Sequence, residues 1–334
     1  MTTMAAENRV ARWKWVVGYT AFAIVAFGLG LLVTFPYATL KRRAVEAAAD
    51  AGYALRIDSL RPGLRGLTAT QVRLSKVPGG MTPELLGMLT EGTGALPGPE
   101  ELGEPLVLDS VAVRPSLLPL GVAFHASLLG GSISGSAGGL GSVQVAVKLS
   151  DLDASQGNLK AFSGVDLAGR LNGSLNLSVP KVRGQPDLSQ ADGQLSLDSK
   201  GLLIQGGNVP IPMGGQSVPM DLPKIALGDI DARMKFDKGQ GTLEELEAKS
   251  EDLEVQGSGG LKLGQRLDVS QPDMDFKLRA EPDFVKRLGI LGAGISILPP
   301  DRTDPKFRVA HLSGFLNRPL FGPARQQPNG GQLR

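Results

Sequence analysis

The chain has 334 residues, 42% hydrophobic and 20% charged, with 35 basic against 33 acidic side chains, two histidines and no cysteine. That length suits one large domain or two ordinary ones. The lack of cysteine excludes disulfides, thiolate zinc sites and cysteine nucleophiles, and His125 and His311 alone leave little for a multi-histidine metal site. Seven of the aromatic residues (Trp13, Trp15, Tyr19, Phe22, Phe27, Phe35 and Tyr37) fall within the first 37 positions, leaving nine for the rest. That is poor equipment for stacking bases or sugars. Residues 1–50 carry six basic and three acidic side chains, so the remainder is close to neutral and no nucleic-acid partner is implied.

Between Lys14 and Lys41 no side chain is charged, and the apolar stretch from Trp15 to Phe35 is long enough to cross a hydrocarbon core of ~30 Å. Aromatic rings stand at both ends, where the interface favours them. A signal peptide has a shorter apolar core followed by a small-x-small site. Here Thr34-Phe35-Pro36-Tyr37 follows instead, so an uncleaved anchor is expected, with Trp15, Tyr19, Phe22, Phe27 and Phe35 as its membrane-anchor side chains. Arg9, Arg12 and Lys14 before the span nearly balance Lys41, Arg42 and Arg43 after it. Because Glu46 and Asp50 dilute the second group, the short tail is placed in the cytoplasm and the bulk of the chain in the periplasm.

From Tyr37 to Ala51 the pattern Leu40, Ala44, Val45, Ala47, Ala48 predicts a helix that stops at Gly52. Thereafter the period becomes two. Val143, Val145, Val147 and Leu149 alternate with polar or small residues, as do Leu171, Gly173, Leu175, Leu177 and Val179 and several shorter runs. Such alternation predicts strands with one apolar and one polar face. A unit of glycine, any residue, an aliphatic, a small or polar residue and an aliphatic starts at Gly141, Gly173, Gly193 and Gly259. Its unequal spacing excludes a solenoid and predicts an antiparallel meander whose strands often begin at a glycine turn or bulge. Residues 78–105 and 206–223, rich in proline, read as loops, the first around a short helix at Glu84–Leu89. A further helix is expected from Asp283 to Leu291, and a frayed tail towards Arg334.

The search for chemistry yields no catalytic, cofactor-binding or metal-binding residue. There is no Gly-Lys dipeptide for a phosphate loop, and Gly289, Gly292 and Gly294 lack dinucleotide-loop spacing. His125 falls opposite Val122, Phe124, Ala126 and Leu128 in an alternating run, as an ordinary exposed strand residue, and His311 reads the same way. The acidic run Glu244, Glu245, Glu247, Glu251, Asp252 and Glu254 is interleaved with leucine and valine, as a solvated strand or turn face would be.

Three stretches carry a resemblance. They are Leu108-Asp109-Ser110-Val111-Ala112-Val113-Arg114-Pro115-Ser116-Leu117-Leu118, the run Phe124-His125-Ala126-Ser127-Leu128-Leu129-Gly130-Gly131-Ser132-Ile133-Ser134-Gly135, and Leu312-Ser313-Gly314-Phe315-Leu316-Asn317-Arg318-Pro319. With Thr34–Tyr37 and Leu40–Arg43 after the span, this order resembles the type II secretion system protein N family in its myxobacterial form, over residues 30–320. The resemblance implies a non-catalytic inner-membrane accessory protein of the general secretion pathway, with other secretion proteins as partners. The insert at 78–105 has no counterpart in that pattern. The opening, a helix to Gly52, a strand Tyr53–Ile57 and then Leu60-Arg61-Pro62-Gly63-Leu64, is also similar to the AsmA-like envelope proteins. That likeness implies a curved sheet with an apolar groove for lipid.

The expected fold class is mainly β: one N-terminal transmembrane helix, then a large, curved, mostly antiparallel sheet with a few short helices. The expected organisation is a cytoplasmic tail over 1–14, the membrane helix over 15–35, a periplasmic β-rich domain over 36–316 and a disordered tail over 317–334. The expected function is that of an accessory component of type II secretion, with AsmA-like lipid transport as the alternative.

Overall fold

The computed structural model describes residues 37–50, 53–63, 66–76, 105–117, 119–157, 159–160, 165–213 and 216–323. Two compact units are distinguished, residues 1–47 and 48–334. Helix α1, Tyr37–Asp50, matches the predicted helix, with Arg42 Nε 3.5 Å from Glu46 Oε1 one turn on, at the exposed surface. Among the described residues no helix is long and apolar enough to cross a membrane. The expected span and its anchor residues Trp15, Tyr19, Phe22, Phe27 and Phe35 lie outside the described residues, as does the expected helix at 84–89.

Among the described residues, the strands from Tyr53 onwards form one antiparallel sheet. Its strands are β1 (Tyr53–Gly63), β2 (Gly66–Lys76), β3 (Leu106–Leu117), β4 (Leu120–Leu128), β5 (Gly131–Gly138), β6 (Ser142–Asp153), β7 (Val165–Val182), β8 (Gln185–Pro186), β9 (Asp192–Met213) and β10 (Gln216–Leu222). They continue as β11 (Ile225–Asp237), β12 (Gln240–Lys249), β13 (Leu253–Lys262), β14 (Gln271–Ala280), β15 (Arg308–Phe315) and β16 (Arg318–Pro323). Spatial order follows chain order, except that β8 pairs only with β7, and β10 only with β9, so that β7, β9 and β11 are neighbours. The predicted meander is therefore the observed topology.

Four sequence expectations are corrected. Residues 206–223 are no loop: β9 and β10 pair from Gly207↔Leu222 to Met213↔Gln216. Pro210 faces Pro219 and Pro212 faces Ser217, two positions apart, so all three prolines occupy one class of pair. Proline at one class of pair keeps its missing N–H from interrupting the other class. Arg318–Pro323, expected in the tail, form β16, whose register with β15 runs from Phe315↔Arg318 to Ala310↔Pro323. The helix after Glu281 is two helices, α2 (Pro282–Arg287) and α3 (Ile290–Ile297), because Gly289 takes φ 57 between them. Of the four glycine units, those at Gly141 and Gly193 fall at the starts of β6 and β9, whereas those at Gly173 and Gly259 lie inside β7 and β13. A Cβ on Gly173 would stand 3.0 Å from the Ser196 carbonyl oxygen, and Gly259 has φ 113.

Register shifts fall at one level across three strands, between Ala168 and Arg170 in β7 and on both sides of Gly228 in β11, each against β9. Gly169 and Gly228 take φ 118 and 74 there, which only glycine tolerates well.

Candidate functional site

Period-two alternation sorts the side chains by face. One row runs Val113, Phe124, Gly135, Val147, Leu175, Leu195, Met234, Leu243 through eight adjacent strands. The next row on that face, Val111, Ala126, Ile133, Leu149, Gly173, Leu197, Ala232, Leu246, is equally apolar. Glycine on this face makes floor space for rings: a Cβ on Gly135 would lie 2.6 Å from the Phe124 ring, and one on Gly241 2.6 Å from the Phe236 ring.

Three short segments cover parts of the apolar face. The first, residues 154–160, brings Leu159 onto Leu106, Ala126, Leu128, Leu129 and Leu152. The second, residues 185–191, brings Leu188 and the buried Ala191 onto Val179, Met234 and Phe236. The third is α2 and α3, whose Phe284, Leu288, Leu291 and Ile295 pack on Ile204, Ile225, Leu253 and Ala280. The first two covers are made alike. Asp153 accepts from the Ser155 amide at 3.0 Å and hydroxyl at 2.6 Å, and Asp187 accepts from those of Ser189 at the same two distances. The Ser155 hydroxyl bond, followed by its amide, holds the Asp153 carboxyl below the usual carboxylate range. The tetrapeptide Asp-x-Ser-Gln occurs at both places, 153–156 and 187–190, a signal the sequence reading missed.

Between the covers the apolar face stays partly open: Val122 is 49% exposed, Val113 39%, Leu195 38% and Leu197 36%. The opposite face is polar, with Ala112, His125, Ser134, Lys148, Ser174, Ser196, Arg233 and Glu245 in one row. Ser174 and Ser196 share a hydrogen bond at 2.9 Å and Arg233 pairs with Glu245 at 2.7 Å. An open depression of about 760 Å³ on this face is lined by Arg114, His125, Lys148 and Asn176 among others. His125 is exposed there. His311 is only half-buried, with Nδ1 2.9 Å from Asp275 Oδ1 across the β14–β15 pair and Nε2 3.6 Å from Asp273 Oδ1.

The acidic run does not converge. Glu245 pairs with Arg233, Glu254 with Arg279 and Asp252 with Arg287. Among the described residues no group of three or more His, Asp and Glu side chains is placed to hold a metal ion. Gly292 serves packing, since a Cβ would lie 1.9 Å from the Val285 carbonyl oxygen.

The carboxyl pair that sequence reasoning missed is Asp198 with Asp231, 33 residues apart but directly opposite in register. Desolvation by its neighbours first, then the hydrogen bond and charge of Asp231, push the exposed Asp198 carboxyl up. The unfolded chain releases this proton first as pH rises, so the pair weakens the fold progressively once pH passes the usual aspartate range of about 3.9. Asp198→Asn is therefore expected to stabilise the fold at pH 7 by a few tenths of a kcal/mol, about the low end of the range for like charges across a strand pair in the open, and so to raise the melting temperature slightly. At pH 3 the gain should vanish, as thermal melts of both proteins at the two pH values would reveal.

No family model, curated protein or solved structure matches the chain.

Proposed function

We propose that this chain is a non-catalytic accessory component of the type II secretion pathway, acting through protein contacts made by its sheet in the periplasm, with residues 15–35 as its inner-membrane anchor. The observation that carries the reading is where the three resembling stretches fall. Leu108–Leu117 lies within β3, Phe124–Gly135 is the β4–β5 hairpin, and Leu312–Pro319 is the β15–β16 hairpin. Their glycines are structural: Gly130 has φ 69 in the β4–β5 turn, Gly135 lies under Phe124, and Gly314 has φ 89. The resemblance thus rests on residues that build a scaffold, and a scaffold binds through extended surfaces rather than through a reactive centre.

AsmA-like carriage of lipid along the apolar face is the second reading. It is favoured by the exposure of Val113, Val122, Leu195 and Leu197 between the three covers.

A strain lacking the gene separates the two. Trapping of exported proteins in the periplasm behind an intact outer membrane is expected if the secretion reading holds. Normal export with a leaky outer membrane would replace it with lipid carriage.

A further inference from the structure

The sheet has two ends. The chain enters it at one end, at Tyr53, and the β3–β4, β5–β6, β7–β8, β11–β12, β13–β14 and β15–β16 turns all lie at the other. Hydrogen bonds lace these turns into one ledge. Gly139 N–H donates to the Leu120 carbonyl at 3.0 Å, and Lys181 Nζ to the Gly139 and Leu140 carbonyls at 3.0 and 3.2 Å. Gly239 donates to Ala191 and Leu263 to Gly239, both at 2.8 Å; Leu316 donates to Ser270 at 2.9 Å. The ledge follows twelve consecutive strands of the sheet path, roughly 50 Å at ordinary strand spacing.

Large apolar side chains stand free along this ledge: Leu140 is 82% exposed, Leu117 81%, Leu120 59% and Leu267 58%. Basic side chains are interleaved with them, and two are held there against backbone preference. Arg183-Gly184 and Lys238-Gly239 take φ 53, 84 and φ 46, 74, the double left-handed turn that suits Asn-Gly. Leu129-Gly130 makes the same turn at the far end of the sheet, but Leu129 is buried there, and packing offsets its strain. Arg183 and Lys238 are exposed and gain no such packing. Of the acidic side chains at this end, Asp187 caps Ser189, Asp192 accepts from the Lys238 amide at 2.8 Å, Asp268 pairs with Arg266 and Asp273 lies near His311. Asp237 stands exposed beside Lys238.

We propose that this ledge of hairpin tips docks on an anionic lipid surface, with the leucines entering the boundary between headgroups and acyl chains and Arg183 and Lys238 on phosphate groups. Leucines on the β3–β4, β5–β6 and β13–β14 turns, with Arg183 and Lys238 on the β7–β8 and β11–β12 turns between them, match an extended surface that offers both acyl chains and phosphate, as a leaflet does. The ledge lies at the end of the sheet opposite Tyr53. This inference rests on neither reading of the sheet's role.

The chain has no cysteine, so Leu140→Cys gives a unique labelling site on a side chain that packs on nothing. The full chain, held in phosphatidylcholine nanodiscs and labelled there with an environment-sensitive fluorophore, is titrated with vesicles containing phosphatidylglycerol or with pure phosphatidylcholine vesicles. Blue-shifted, enhanced emission is expected with the anionic vesicles alone. Arg183→Gln with Lys238→Gln, both at positions already occupied by long side chains, should weaken that response about 30-fold, each basic residue near a membrane being worth about a factor of five. Unchanged emission, an equal response to neutral vesicles, or an undiminished response in the double variant would each overturn the proposal.

Discussion

Phe284→Ala is expected to destabilise the sheet domain by about 3–5 kcal/mol, the range for deleting a buried phenylalanine ring. Phe284 is 2% exposed and forms one buried cluster with Ile225 and Leu288. Helix α2, only six residues long, is too short to persist by itself. Pro282 starts it, Arg287 ties its far end to Asp252, and the same guanidinium lies over the Phe284 ring at 5.6 Å. The ring is thus what seats the third cover on the apolar face. Its loss should uncover Ile204, Leu253 and Ala280 along with the cavity itself. Denaturant unfolding should show the lower midpoint, and binding of a hydrophobic dye before the main transition should show the cover leaving first. Phe284→Leu keeps most of the buried area and should recover more than half of the loss.

The strands of the middle of the sheet are legible in the sequence because burial on one face imposes a period of two. Val143–Leu149 and Leu171–Val179 give both the elements and their apolar faces correctly, and His125 falls on the polar side as its neighbours require. What escaped depends on pairing between distant residues. The prolines at 210, 212 and 219 read as a loop because their shared pair class exists only once β9 and β10 are in register. Asp198 and Asp231 look like two separate surface acids until β9 and β11 set them opposite each other. Gly259 looks like a strand start because a glycine that admits a neighbouring strand has the same letter as one that makes a turn. The ledge of hairpin tips escaped for a similar reason: Leu120, Leu140 and Leu267 are far apart in the chain and come to one end of the sheet only once the strands are paired.

Gly239→Ala tests how firmly that rim is built, and is expected to cost about 2–5 kcal/mol. Gly239 sits at φ 74, where an L-residue loses roughly 1–2 kcal/mol. A Cβ there would also lie 2.1 Å from the Ser189 carbonyl oxygen, so backbone must move, adding about 1–3 kcal/mol of overpacking. The move cannot be confined to one turn, since Gly239 donates to Ala191 and accepts from Leu263, joining the second cover to the β13–β14 connection. Gly184 supplies the matched comparison. It occupies the same position in the neighbouring Arg-Gly turn at φ 84, but a Cβ there would meet nothing within 4 Å. Gly184→Ala should therefore show only the conformational cost of about 1–2 kcal/mol. Urea midpoints for the two variants separate the two contributions. A clear excess for Gly239→Ala, with faster amide exchange at Leu263, locates the extra cost in the contacts between turns. Equal costs would mean that the turns relax independently and that the rim's hydrogen bonds add no rigidity of their own.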